Sequence, residues 1–148
     1  MKLILVIVFF IFEIVYSRPV DIEDANVPEI VKATFYEKFK NPFKGKVEWS
    51  TDRGVFLAQF KGMTKSNPEP FLISCFIKET GEWDRTIRKF DLKSAKSNLP
   101  ESVNKKAQEI SKKNKNSKIN ILFTETKSEK NYKVSIITKD DIKFISLD

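Results

Sequence analysis

The stretch Val27-Pro28-Glu29-Ile30-Val31 returns as Leu99-Pro100-Glu101-Ser102-Val103 at an offset of 72 residues, and the same offset lays Lys46-Val47 and Trp49 on Lys118-Ile119 and Ile121. Two separate segments in one register mark an internal repeat, and in each copy helix signals are followed by strand signals. Proline suits the first helical turn, where its missing N–H would be unpaired anyway. In the first copy Val27, Val31, Phe35 and Phe39 recur at four-residue steps, which predicts an amphipathic helix over 28–39. In the second copy the apolar positions are Leu99, Val103, Ala107 and Ile110, and the pattern fades into Lys112-Lys113-Asn114-Lys115-Asn116.

Between the two helices the chain reads as strands. Asn41-Pro42-Phe43-Lys44-Gly45 ends the first helix, and Val47 and Trp49 with Glu48 between them alternate as a strand. Asp52-Arg53-Gly54 is a turn, and Val55 to Lys61 is a second strand with Phe56, Ala58 and Phe60 on one side. Gly62 to Pro70 reads as a polar loop. Phe71 to Lys78 is apolar on both faces, as expected of a central strand. Trp83 to Phe90 is a fourth strand, with Trp83 and Ile87 on one side and Asp84, Thr86 and Arg88 largely on the other, followed by a polar connection. Three more strands, at about 118–124, 131–138 and 142–147, follow the second helix, with Asp140-Asp141 as the last turn.

Neither copy could bury a helix stripe and a sheet face by itself, so the two should share one core. The expected fold is α+β, with two helices packed on one face of a continuous antiparallel sheet of about seven strands. The single domain covers 27–148, in repeats 27–94 and 95–148, after a polar lead over 18–26. Antiparallel pairing leaves the other sheet face open to water or to a partner.

The N-terminus bears on compartment. Lys2 precedes the unbroken apolar run Leu3 to Phe12, and Val15-Tyr16-Ser17 offers small residues at the positions a signal peptidase reads, so residues 1–17 are expected to be a signal peptide cut before Arg18. Against a retained anchor over 3–16 stands Glu13, a costly carboxylate in a spanning helix. No cysteine lies near the cut, so a lipoprotein anchor is not expected. The mature chain, of about 130 residues, is expected to be periplasmic or secreted, and it keeps the formal charge of +7 because the leader removes one charge of each sign.

Cys75 is the only cysteine, which rules out an internal disulfide and points to a buried thiol in an oxidising compartment. There is no histidine, and with it go the commonest general base near neutral pH and the commonest zinc ligand. No glycine-rich phosphate loop, paired-cysteine motif or calcium loop is present. No catalytic, metal or cofactor residues are therefore assigned, and no cofactor is expected. The cluster Asp84, Arg85, Arg88, Lys89 and Asp91 reads as a solvated strand face, and Lys105, Lys106, Lys112, Lys113, Lys115 and Lys118 as a solubilising one. Nucleic acid is not an expected partner; weak attraction to an anionic envelope surface is the alternative to the solubilising face. Trp49, Trp83, Arg85 and Arg88 are the candidate binding face, the tryptophans being anchors only if they lie on the open side rather than in the core, and Phe56, Phe60 and Phe76 share that ambiguity.

The segments Val27 to Phe35 with Phe39, Val47-Glu48-Trp49, Ala58-Gln59-Phe60, Phe76 to Gly81 with Glu82-Trp83, and Leu99 to Val103 resemble the β-lactamase-inhibitor-like, PepSY-like family of exported Bacteroidetes proteins. The resemblance covers most of 27–110 and implies a helix-on-antiparallel-sheet fold, with two such units merged, outside the cytoplasm. It does not imply inhibition of any enzyme. The expected function is a non-enzymatic binding module that takes a protein or peptide on its open sheet face. The alternatives are an enzyme of unrecognised type, which calls for a deep pocket with convergent ionisable groups, and a purely structural envelope protein.

Overall fold

Among the described residues eight strands build the sheet, the central ones by alternating apolar side chains. The structure, a computed structural model, describes residues 19–40, 46–64 and 67–147, with the side chains of 63, 64 and 67–69 excepted. The expected leader over 1–17 and the helix stop over 41–45 lie outside the described residues. The strands are β1 (Val20–Ile22), β2 (Glu48–Asp52), β3 (Val55–Thr64), β4 (Asn67–Lys78), β5 (Trp83–Asp91), β6 (Lys118–Thr126), β7 (Lys130–Ile137) and β8 (Ile142–Ser146). They form one antiparallel sheet in chain order, β1 to β8. The helices are α1 (Glu29–Lys38), α2 (Leu92–Asn98) and α3 (Glu101–Lys113). The fold is α+β, an open sheet with helices packed against it.

Three expectations are corrected. Among the described residues there are eight strands rather than seven, because part of the polar lead pairs with β2 as β1. The described residues form three α-helices rather than two, because the polar connection after Phe90 forms α2. The stretch from Gly62 to Pro70 is mainly the arms of the β3–β4 hairpin, which stay paired as far as Thr64 and Asn67, with an irregular register beyond Gly62. Among the described residues, no helix is long and apolar enough to cross a membrane.

α1 is held by its stripe. Val31 and Phe35 are fully buried, and the Phe35 ring lies 5.2 Å from Trp49, 5.3 Å from Phe39 and 5.4 Å from Phe60, centroid to centroid. The β4–β5 turn rises against the same helix. There Gly81 has φ of 84°, its carbonyl accepts a 2.7 Å hydrogen bond from Thr34 Oγ1, and an added Cβ would lie 2.5 Å from Ile30 Cγ1. Only glycine combines that dihedral with that approach.

α2 is started by a cap rather than by a stripe. The Asp91 carboxylate accepts hydrogen bonds from the Ser94 backbone N–H at 2.7 Å and from the Ser94 hydroxyl at 2.9 Å, while Ser94 and Ala95 are buried. The Ser94 N–H is also the main cause of the lowered Asp91 pKa. Asp91→Ala should cost about 1 kcal/mol, the usual loss for an N-cap. Because the folded-state pKa is depressed, the stabilisation is present above the unfolded carboxylate value and is lost as pH falls through the folded one. Urea melts of wild type and Asp91→Ala should therefore differ at pH 7 and converge in acid; a difference independent of pH would mean that the carboxylate charge is not involved.

Cys75 is buried at the centre of β4, where burial pushes its thiol up to about 11. The thiolate is the reactive form. A thiol reagent at pH 8 should leave Cys75 unlabelled until denaturant unfolds the chain, and rapid labelling of the native protein would contradict this placement.

Candidate functional site

Alternation along the strands and the pairing register sort the side chains onto two faces. One face receives the helices: Trp49, Ala58 and Cys75 form a cross-strand row with Thr86, beside Phe60, Ile73, Phe90 and Ile121, and all eight are buried. The opposite face carries Leu57, Leu72, Phe76, Ile87 and Leu122. Each of these is half-buried, although no described helix covers that side. Their burial comes from neighbours on the same face, such as the Arg85 guanidinium, which stacks 4.3 Å above the Phe76 ring, and the Gln59 amide, which donates to Ser74 Oγ at 3.0 Å. Phe144, opposite Ser135 and 60% exposed, carries the apolar surface out to the β8 edge.

The four candidate binding residues are not brought together on this surface. Trp49 is buried on the helix side, and its indole N–H donates to Asp24 Oδ1 at 3.1 Å. Trp83 also faces the helices: its N–H donates to Thr86 Oγ1 at 3.1 Å, and Lys38 Nζ of α1 sits 3.2 Å above its ring. Arg88 lies on the helix side as well, opposite Phe123 in β6, with its guanidinium 3.2 Å from Glu125 Oε2. Only Arg85 stands on the open side. Phe56 and Phe60 are core residues, whereas Phe76 is part of the open face.

A register shift explains Trp83. Cys75 pairs with Thr86 and Phe76 with Arg85, but Ile77 pairs with Trp83, so Asp84 is skipped. Such a bulge reverses the parity beyond it. Strict alternation had put Trp83 with Ile87, which the structure separates. The residues that do form the open face were legible in part, since a β4 that is apolar on both sides must leave one set of side chains away from the helices.

Two of the hollows among the described residues bear on the candidate residues. One of about 260 Å³ on the helix side is lined by Phe71, Arg88, Phe90, Phe123 and Tyr132 beside the α2–α3 corner, and its arginine is engaged by Glu125. The other, of about 620 Å³, runs between β1, the segment from Glu23 and β2. At the turn end of the open face Glu82 is bound by Lys127 at 2.6 Å and Lys78 at 2.7 Å, and these two ammonium groups hold its carboxyl down to about 2. Among the described residues no group of three His, Cys, Asp or Glu side chains is placed to hold a metal ion.

No family model and no curated protein matches the chain. A solved structure does. It is that of a DUF2874 family protein from Bacteroides ovatus, matching over 81% of this chain and 80% of that one with a TM-score of 0.55 and 19% identity. At that identity the likeness concerns the fold alone: both chains set helices against an open sheet. It carries over no residue roles.

Proposed function

We propose that this chain is an exported, non-enzymatic binding module that uses its open sheet face to hold a protein or peptide. The observation that carries the reading is the apolar centre of that face, Leu57, Leu72, Phe76, Ile87 and Leu122, which no described element covers. A contiguous apolar surface rimmed by polar residues is a common mark of an interaction site. An eight-strand sheet provides more width for a macromolecular partner than a single four-strand unit.

The same reading takes the sheet as two merged repeats of the β-lactamase-inhibitor-like, PepSY-like kind, the mature chain beginning at Arg18. Its support is positional. Pro28 and Pro100 both stand at helix N-caps, with φ, ψ of −56°, 139° and −54°, 146°. Val31 and Val103 are buried one turn on, and Phe35 and Ala107 one turn further. The copies diverge in size at that second position, which leaves the aromatic cluster in the first half.

The test is capture of partners from the periplasmic or secreted fraction by immobilised wild type and by a Leu57→Thr/Leu122→Thr variant. Threonine keeps the strand preference while removing apolar surface. Expected is at least one protein retained by wild type and lost by the variant. Equal retention by a variant that melts normally would remove the open face as the binding surface.

A further inference from the structure

One cross-strand row of the open face runs Lys61, Leu72, Lys89, Leu122, Lys133 from β3 to β7, each residue paired with the next. The three lysines are exposed and the two leucines half-buried. Elsewhere on this face Arg85 is engaged by Asp84 at 2.8 Å and Lys78 by Glu82, while Lys118, opposite Ile137, stands outside the row. No ion pair with a described residue involves Lys61, Lys89 or Lys133. Besides Asp84 and Glu82, which hold Arg85 and Lys78, the acids of this face are Asp21, Glu48 and Asp52 on β1 and β2, and Asp91, whose carboxylate caps α2. The result is a strip of positive charge alternating with apolar floor.

Its spacing selects a shape. Neighbouring strands are about 4.8 Å apart, so the lysines repeat at about 10 Å with a leucine midway. An α-helix rises about 10.5 Å in seven residues, with intermediate positions at about 5 Å, and so matches both periods. An extended strand presents same-face side chains about every 7 Å and falls out of step with them. A flat anionic bilayer would also meet the lysine tips, but the leucines lie below those tips and are reached only by a ridge entering between them.

We infer that this row docks an amphipathic helix of a partner protein, with an acidic side chain at every seventh position and an apolar one midway. The inference rests on the open face being the binding surface, and it adds the charge and form of the ligand.

The test uses protein recovered from an exporting host and two labelled synthetic peptides of about three heptads, alanine-based. One carries Glu at each seventh position with Leu midway; the other has the same composition scrambled. Fluorescence anisotropy should show the patterned peptide binding about tenfold or more tighter than the scramble, with a similar loss for the variant Lys61→Glu/Lys89→Glu/Lys133→Glu, since attraction becomes repulsion at three sites. Circular dichroism of that variant should be unchanged, because the lysines hold no described ion pair. Equal binding of both peptides, or an unaffected triple variant, overturns the inference. So does equally lysine-dependent capture by phosphatidylcholine vesicles carrying a fifth phosphatidylglycerol, which would assign the strip to anionic lipid. If the peptide fails while Leu57→Thr/Leu122→Thr still loses its captured partner, the inference falls and the open-face reading stands; if that variant also keeps its partner, both fall.

Discussion

Phe35→Ala should destabilise the protein by about 3–5 kcal/mol, the range for truncating a buried phenylalanine. The upper part of that range is expected because Phe35 is fully buried and its ring is met by Tyr36, Phe39, Trp49 and Phe60. Tyr36 is on α1 and Phe39 is its C-cap, while Trp49 and Phe60 are on the sheet, so collapse into the cavity would have to move a helix against β2 and β3. Domains are stable by only about 5–15 kcal/mol in total, so the variant should melt at a much lower denaturant concentration. Denaturant melts at matched pH measure this directly, and a loss below about 1 kcal/mol would mean that the α1 stripe does not anchor the core.

A larger effect is expected from cutting the chain. A fragment of residues 95–148 keeps α3 and β6 to β8 but loses β5, the strand that pairs along β6. The buried residues of α3 are Val103 and Ala107, where α1 contributes Phe35. Small side chains remove little apolar area from water, too little to offset the entropy of ordering the backbone. The fragment should be largely unfolded by circular dichroism, while a chain of residues 18–148 melts in one calorimetric transition. A natively folded fragment, or two separated transitions in the whole chain, would divide the sheet into independent halves and with it the broad open face.

What the sequence made legible follows from periodicity. Phe35 was placed by its four-residue steps, Cys75 by the absence of a disulfide partner, and β4 by apolar residues on both faces. Three features carried no such signal. β1 is three residues long and mostly exposed, so it has no alternation to read, and it exists because β2 offers it an edge. α2 buries only Ser94 and Ala95, and its start depends on the Asp91 cap, a single local contact inside a polar stretch. The bulge at Asp84 depends on how β5 lies on β4, which no strand shows by itself. That bulge reversed the face of Trp83, while Trp49 faces the helices by its unbroken register, and the open side is built from aliphatic residues, Phe76 and lysines. Arg88 shares the helix side with Phe90, where Glu125 receives it.

The central claim is that the face away from the helices is where a partner binds. It is tested most directly by placing the photo-reactive benzoyl derivative of phenylalanine at Phe76 on the open side or at Tyr36, 51% exposed on α1, and irradiating the protein in its native compartment. The account predicts a discrete cross-linked partner from position 76 and none in common from position 36. Cross-links from position 36 alone, to a partner that position 76 never reaches, would contradict it.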